Sequence, residues 1–167
     1  IENGINYKKK IISPFPLLSL NDDQNQHKIV AEQYAKEQIS QISKFSQMFH
    51  KKNDKIRVGY FSPDFRNHPV THLILDVLKN HDRSKFDIYG FFHGPKEDEL
   101  TDVVKKYFHK FYNVYEKSDE DIAALSRENK IDIAVDLCGY TKYSITKTYI
   151  KGAAPIQINY LGYPGTM

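Results

Sequence analysis

Residues 62–72, with the sequence SPDFRNHPVTH, place an aspartate, an arginine and two histidines directly after an apolar run. Pro69 suits the first position of a helix, so His68 falls near the N-cap, beside the positive end of the helix dipole. A neutral imidazole in that position can accept a proton or hydrogen-bond a substrate hydroxyl. It can also serve only as a helix cap, and the spacing alone favours this second role.

The two histidines of this turn, His68 and His72, are four residues apart, as metal ligands on one helical face often are. The glutamate of an HExxH motif is missing, and no third ligand lies near in the sequence. We therefore predict no metal site and expect His72 to pack or hydrogen-bond within the domain. Asp64 follows a proline in a turn, where an aspartate usually bonds its own backbone, so we expect a structural role for it.

A second candidate lies where the apolar run IDIAVDL continues as CGYT. Asp136 ends the run, and Gly139 permits a tight exit that would direct Tyr140 and Thr141 across the end of a strand. A carboxylate in this position serves either catalysis or the pinning of the following loop. The sequence favours neither role over the other.

The third candidate is the turn GYPGT, in which Gly162 and Gly165 flank Pro164 and allow the backbone to approach a ligand closely. The chain contains neither a GxGxxG dinucleotide motif nor a GxxxxGK[ST] phosphate loop. We therefore predict no cofactor. The other five histidines receive no role: His27, His50, His81, His93 and His109.

The elements that must position these candidates alternate along the chain. Five short runs typical of strands, IRVGYF, FDIYGFF, KFYNVY, IDIAVDL and PIQINYL, are separated by segments of helical length, one with Ser118 as its N-cap. Apolar strands alternating with helices predict an α/β fold, a Rossmann-like, doubly wound parallel sheet. Ligands of such sheets bind beyond the carboxyl ends of the strands, where all three candidates fall.

The first 54 residues read differently from residues 55–167, which we interpret as one Rossmann-like domain. Two prolines in SPFPLLSL predict an extended, packed segment. One amphipathic helix is expected from Asn21 to Phe49, with Asp22 and Asp23 at its N-cap and apolar residues at loosely helical spacing: Val30, Tyr34, Ile39, Ile42, Phe45 and Phe49. The polar linker HKKNDK follows it.

Composition excludes several classes of protein. The 167 residues, 40% of them hydrophobic, suffice for one core, and the formal net charge of +3 contains no basic stripe typical of nucleic-acid binding. No apolar run reaches the roughly 20 residues of a membrane span. The single cysteine, Cys138, fits a reducing compartment, so we expect a cytoplasmic or nuclear protein. Because the chain starts at Ile1 and stops after LGYPGTM, we also expect it to be part of a longer protein.

Four blocks of the sequence, in order and at these separations, resemble the N-terminal half of the catalytic region of the O-linked N-acetylglucosamine transferase and SPINDLY family. They are IRVGYFSPDFRNHPVTH, KFDIYGFF, IDIAVDLCGYT and APIQINYLGYPGT. The likeness runs from about Lys55 to the end of the chain. The segment PFPLLSL and the helix after it resemble the part that joins this family's tetratricopeptide repeats to its catalytic region.

The resemblance implies a two-lobed GT-B glycosyltransferase, of which this chain supplies the first lobe and part of the linker. Such enzymes transfer a sugar from a nucleotide donor, here UDP-N-acetylglucosamine, to Ser or Thr hydroxyls of intracellular proteins, with inversion and without a metal. The resemblance implies that His68 and Asp136 are the candidate catalytic residues. It implies substrate-binding roles for Asn67, Pro69, Gly139, Tyr140, Thr141, Gly162, Tyr163, Pro164, Gly165 and Thr166.

Two alternatives stay open at this point. SPINDLY-type members of the family use GDP-fucose, and a lobe can also retain the fold as a non-catalytic binding module. The chain departs from the family after the GYT loop, where it carries KYSITKTY and members often carry Gly with Asn or Arg. Most contacts with the donor nucleotide come from the family's second lobe, so we expect this chain alone to lack transferase activity and to bind the donor weakly.

Overall fold

The computed structural model describes residues 12–40 and 53–167. Its centre is a parallel sheet of five strands in the order β3-β2-β1-β4-β5. The strands are β1 (Ile56–Ser62), β2 (Phe86–Phe92), β3 (Lys110–Asn113), β4 (Ile133–Asp136) and β5 (Ile156–Asn159). The predicted doubly wound parallel sheet is confirmed, and the five observed strands fall in the five predicted segments, with β1 extending one residue further, to Ser62.

Four helices follow strands along the chain: α3 (Pro69–Lys79), α4 (Glu99–Lys105), α5 (Asp119–Glu128) and α6 (Thr146–Ile150). Side-chain N-caps explain where α4 and α5 begin. The hydroxyl of Ser118, the predicted N-cap, accepts a hydrogen bond from the backbone N–H of Asp121. Asp98 and Thr101 form a reciprocal capping box at α4. Each helix therefore starts near the carboxyl edge of the sheet, directly after a strand.

The sheet is covered on both faces, as two separate clusters of buried side chains show. One cluster joins the strands to α3 and α4 and contains Phe65, Ile74, Leu78, Phe92 and Val104, among others. The opposite cluster contains Phe61 and Phe91, whose rings stack with centroids 4.3 Å apart, together with Ile122 of α5. Because consecutive side chains of a strand point to opposite faces, unbroken apolar strands such as β2 supply both clusters.

The N-terminal segment contains two helices, α1 (Pro14–Leu17) and α2 (Gln24–Ser40). The prediction of an extended conformation for SPFPLLSL is wrong for residues 14–17, which form α1. Pro14 lies in the first turn of this helix, where a backbone N–H would have no partner within the helix, so the missing N–H of proline costs nothing. Asp23 accepts hydrogen bonds from the backbone N–H groups of Asn25 and Gln26 and so caps α2, as predicted. The predicted helical residues Ile42, Phe45 and Phe49 lie outside the described residues.

Helix α2 packs across the carboxyl edge of the sheet rather than on one of its faces. Ala31 and half-buried Tyr34 contact Tyr140 and Tyr163, which follow β4 and β5. The ring centroids of Tyr34 and Tyr140 are 4.9 Å apart in an edge-to-face arrangement. Among the described helices, none is long and apolar enough to cross a membrane.

Candidate functional site

Three loops meet at one edge of the sheet, since β1, β4 and β5 are neighbouring parallel strands whose carboxyl ends point the same way. The turn after β1 carries His68, the loop after β4 carries Gly139, and the turn after β5 carries Gly165. The expected gathering of these loops is confirmed. This edge is therefore the candidate functional site.

His68 is the N-cap of α3, and its side chain is about one-third exposed. Its Nδ1 accepts a hydrogen bond from the backbone N–H of Val70 at 3.3 Å and lies 3.6 Å from a carboxylate oxygen of Asp64. An Nδ1 that accepts cannot carry a proton, so the neutral ring carries its proton on Nε2. In this conformation His68 offers a hydrogen-bond donor to a substrate at Nε2.

The rest of the turn is held by side chains. The carboxylate of Asp64 accepts a hydrogen bond from Arg66 at 2.9 Å, and the hydroxyl of Thr71 donates to the Asp64 carbonyl. The backbone N–H of Asn67 donates to Asp98, the N-cap of α4, at 2.7 Å. Asp64 therefore has a structural role, but its carboxylate contacts the Arg66 side chain and the His68 ring rather than its own backbone, which was the expected partner.

Asn67 and His72 are paired on the surface of the same turn. The Asn67 side-chain oxygen lies 3.0 Å from Nε2 of His72. The hydrogen bond expected within the domain for His72 is thus present. It directs His72 toward Asn67 on the exposed side of α3.

Asp136 ends β4 and is only 4% exposed. One of its carboxylate oxygens accepts hydrogen bonds from the backbone N–H groups of Cys138 at 2.8 Å and Gly139 at 3.1 Å. Burial raises the pKa of this carboxyl above its ordinary value, and the two N–H groups oppose that shift. The geometry is that of a carboxylate that pins the following loop, one of the two roles weighed for it.

The loop after β4 depends on a left-handed residue at Gly139, whose φ is +58°. A Cβ at this position would lie 2.4 Å from the Cβ of Tyr163, so no other residue fits without movement. The Tyr140 ring is 6% exposed and packs between Tyr34 and Tyr163. The hydroxyl of Thr141 turns back to donate to the Cys138 carbonyl at 2.9 Å. Aromatic packing thus holds Tyr140 at the carboxyl edge of the sheet, and a local hydrogen bond holds the Thr141 hydroxyl within the loop.

The turn after β5 packs closely against the loop after β4. Gly162 has a φ of +58°, and a Cβ there would lie 2.2 Å from the carbonyl oxygen of Leu137. Tyr163 is 2% exposed, and its carbonyl accepts a hydrogen bond from Asn159 at 3.1 Å. Pro164 and Thr166 are exposed at the surface of this turn. The loop with Gly139 and the turn with Gly162 therefore pack directly against each other and together form one wall of the site.

A pocket of about 280 Å³ opens beside this wall, between α2, α6 and β5. Asp136, Tyr140 and Asn159 line it together with Tyr149 of α6. The Tyr149 hydroxyl is buried without a hydrogen-bond partner of standard geometry among the described residues. Burial first, and then the nearby Asp136 carboxylate, raises the pKa of this phenol well above its ordinary value.

Sequence reasoning missed two residues near this edge, Tyr149 and His93. His93 follows β2, is 4% exposed, and has no hydrogen-bond partner at either ring nitrogen among the described residues. Burial lowers its pKa to about 3, against a smaller opposing effect of the Tyr143 backbone. The available signal is the position of His93 directly after a buried apolar strand.

No group of three or more His, Cys, Asp or Glu side chains is arranged to hold a metal ion within residues 12–40 and 53–167. The single cysteine, Cys138, is buried as a free thiol. Burial raises its pKa to about 12, so it is not a reactive thiolate in this environment. Hydrogen-bonding groups and loop backbone are therefore what this edge offers to a ligand.

Comparison with known proteins gives a consistent result. Residues 16–167 match the family model described as Glycosyl transferase family 41. The chain is 33% identical over 113 residues to the probable UDP-N-acetylglucosamine--peptide N-acetylglucosaminyltransferase SEC of Arabidopsis thaliana, covering 67% of this chain and 12% of that protein. It is 36% identical over 115 residues to the SPINDLY protein of the same plant, which carries the same enzyme name, covering 66% of this chain and 13% of the relative.

A solved structure of an O-GlcNAc transferase mutant from Thermobaculum terrenum superposes with a TM-score of 0.77 at 25% identity. The superposition covers 84% of this chain and 28% of the bacterial one. The chain thus spans about one-eighth of the two plant relatives and just over a quarter of the bacterial chain.

Proposed function

This chain belongs to glycosyl transferase family 41, and from that premise we propose that it forms the first catalytic lobe of a protein O-glycosyltransferase. The reaction is transfer of N-acetylglucosamine from UDP-N-acetylglucosamine to Ser or Thr hydroxyls of proteins. The observation that carries the proposal is the meeting of three loops, those of His68, Gly139 and Gly165, at one sheet edge. Ligands of doubly wound sheets bind at that edge.

The proposal extends to the rest of the protein. Residues 55–167 form the lobe, and residues 1–54 join it to tetratricopeptide repeats, while a second lobe supplies most contacts with the nucleotide. The protein acts in the cytoplasm or nucleus on intracellular acceptors. The names of the plant relatives support the donor and a peptide acceptor, and the name of the bacterial structure supports the sugar.

In the proposed reaction, the acceptor oxygen attacks the anomeric carbon while the bond from that carbon to the nucleotide diphosphate breaks. The diphosphate leaves with the bonding electrons, the configuration inverts, and the hydroxyl proton must pass to a base. We assign His68 the role of donating from Nε2–H to the acceptor or to the transferred sugar. Its Nδ1 is engaged by Val70, which argues against His68 as the base in this conformation.

Asp136 is the other candidate base, but its burial and its two backbone hydrogen bonds favour a loop-positioning role. The proton then passes to a phosphate oxygen of the donor. The exposed turn residues Asn67, Pro69, Pro164 and Thr166 supply the surface that meets the acceptor. No metal takes part in this proposal, because the resemblance implies a metal-independent reaction.

The test is an assay of the full-length protein with an acceptor peptide and either UDP-N-acetylglucosamine or GDP-fucose. We expect transfer from the first donor, and a loss of at least about 100-fold in kcat/KM for His68→Ala, a typical cost of removing a positioned hydrogen bond in the transition state. His109→Ala, which removes an exposed histidine at the opposite edge of the sheet, is the matched control.

Three results decide the proposal. Transfer of fucose alone would reassign the donor to the SPINDLY type, and absence of transfer from either donor would favour a non-catalytic module. Full activity that EDTA abolishes and a divalent ion restores would overturn the metal-independent mechanism.

A further inference from the structure

A groove of about 480 Å³ lies at the amino edge of the sheet, opposite the candidate site. Four cationic side chains and one carboxylate line it: Lys55, Lys79, Arg83, Lys106 and Asp87. We refer to these five residues as the basic groove. They come from the starts of β1 and β2 and from the ends of α3 and α4, so four separate elements direct charge to one place.

The charge of the basic groove is concentrated in one place. The whole chain of 167 residues has a formal net charge of +3. The groove alone holds three more cations than carboxylates. An uneven distribution of this kind creates a local positive potential that a uniform surface would lack.

Most of this charge is not neutralised by partners. Lys55 pairs with Asp87 at 3.3 Å. Lys79 and Lys106, both exposed, form no ion pair with any residue in the described ranges. The groove therefore presents cations that ordinary surface pairing leaves available.

Arg83 is fixed in position, unlike a mobile surface cation. One guanidinium nitrogen, Nη2, donates to the carbonyls of Leu78 at 2.8 Å and Tyr107 at 2.6 Å. These bonds join the end of α3 to the end of α4. The other N–H groups of the planar guanidinium remain to donate to a carboxylate or a phosphate. Guanidinium groups bind both anions well, through paired hydrogen bonds.

A simpler explanation accounts for part of the charge. Lys79 ends α3 and Lys106 is the C-cap of α4, and cations at helix C-termini balance the helix dipole. Each C-terminus is equivalent to about half a negative charge. The two together offset about one of the three excess positive charges, so about two remain, and dipole balance does not explain why Lys55 and Arg83 converge on the same groove.

We propose that the basic groove docks an acidic segment of a partner protein, one that carries several neighbouring carboxylates or phosphates. A segment is favoured over a single small anion because the cations are spread over four elements around an open groove. With β1 seven residues long, the groove lies about 20 Å from the candidate site. A docked partner therefore leaves that site accessible, and the proposal does not depend on transferase activity.

Fluorescence anisotropy on the full-length protein tests the proposal with three labelled decapeptides: one rich in glutamate, one with phosphoserines and one neutral. We expect the two acidic peptides to bind, with an affinity that falls as salt rises from about 50 to 200 mM. Lys79→Glu/Lys106→Glu should weaken both by at least about tenfold. The acidic peptide that binds more tightly shows whether carboxylates or phosphates are the preferred anionic groups of the partner.

The matched control is Lys96→Glu/Lys117→Glu, which makes the same change of charge at exposed positions on the carboxyl edge. We expect it to change affinity by less than about twofold. Equal losses in the two double variants would mean general attraction and would overturn the docking site. Unchanged binding in Lys79→Glu/Lys106→Glu, with a native circular dichroism spectrum, would also overturn the docking site. If this variant fails to fold, Lys79→Gln/Lys106→Gln is used for the same test.

Two competitors separate the peptide from other anions. Displacement of the acidic peptides by inorganic phosphate at equal concentration would reduce the groove to a small-anion site and contradict the proposal. Tighter binding of a single-stranded oligonucleotide, lost in Lys79→Glu/Lys106→Glu, would assign the groove to nucleic acid instead. Failure of an excess of either competitor to displace the peptides supports the proposal.

Discussion

The turn after β1 and the loop after β4 lie side by side on one sheet edge, yet different forces hold them. Side chains hold the first: Asp64, Arg66 and Thr71 form its bonds, and His68 is about one-third exposed. Buried groups hold the second, since the carboxylate of Asp136, which is 4% exposed, accepts two backbone N–H groups and Gly139 adopts a left-handed conformation against Tyr163. The first turn can therefore meet and adapt to a substrate, whereas the second forms a fixed wall.

The largest effect expected from this difference is the loss of stability caused by Gly139→Ala. Left-handed backbone costs a non-glycine residue about 1–2 kcal/mol, and the overlap with Tyr163 adds about 1–3 kcal/mol. We expect a loss of about 3 kcal/mol in the free energy of unfolding, measured by urea denaturation. Arg66→Ala in the other turn should cost less than about 1 kcal/mol, since an ion pair that stays partly open to solvent contributes little. Equal losses would mean that the two segments are not held differently.

The next effect concerns His93, which connects the two segments. Its backbone N–H donates to the Ser62 carbonyl, while its ring faces the backbone of Tyr143. The folded chain keeps this ring neutral down to a pKa of about 3, whereas the unfolded chain protonates it near 6.5. As the pH falls between these values, the unfolded state binds a proton that the folded state excludes. Stability is therefore lost at about 1.4 kcal/mol per pH unit.

His93→Gln removes this titration, so unfolding curves at pH 7 and pH 4.5 should differ less for this variant than for the wild type, by about 2–3 kcal/mol. His109→Gln, which makes the same substitution at an exposed histidine, is the matched control. An unchanged slope in His93→Gln would show that the ring is hydrated or paired in solution.

A smaller effect is expected for Asp136→Asn. The amide oxygen of asparagine can accept the same two backbone N–H bonds, and the substitution removes a carboxylate whose pKa is raised by burial. A raised carboxyl pKa means that stability is lost as the pH rises above the unfolded value, so the variant should be at least as stable at pH 7. In an assay of the full-length protein for the proposed transfer, we expect kcat to fall less than about tenfold. A loss above about 100-fold with an intact fold would make Asp136 the base.

The smallest expected effect is a gain from Tyr143→Gly. Tyr143 has a φ of +67°, in the left-handed region that favours glycine. Relief of strain worth about 1–2 kcal/mol is partly offset by the greater freedom of glycine in the unfolded chain. A net gain of about 0.5 kcal/mol in thermal or urea unfolding is expected. A net loss would show that packing of the Tyr143 ring, beside Lys142, outweighs the backbone strain.

The sequence predicted what depends on local pattern, including the five strands, the Ser118 cap and the capping position of His68. These follow from apolar runs and from hydrogen bonds within a few residues. The burial of His93 and the approach of Tyr149 to Asp136 depend on which strands and helices become neighbours, and short polar motifs do not encode that. The error at residues 14–17 has another cause, because a proline fits both an extended segment and the first turn of a helix.

The β5 strand has a consequence for handling the protein. It is an edge strand whose four residues are all exposed, with 54% of Ile156 and 47% of Ile158 open to solvent. Unpaired backbone groups beside apolar side chains form a template on which another chain can add a strand. A preparation of residues 1–167 alone should therefore self-associate as concentration rises, and a lysine at residue 158 should improve its solubility without altering the three loops.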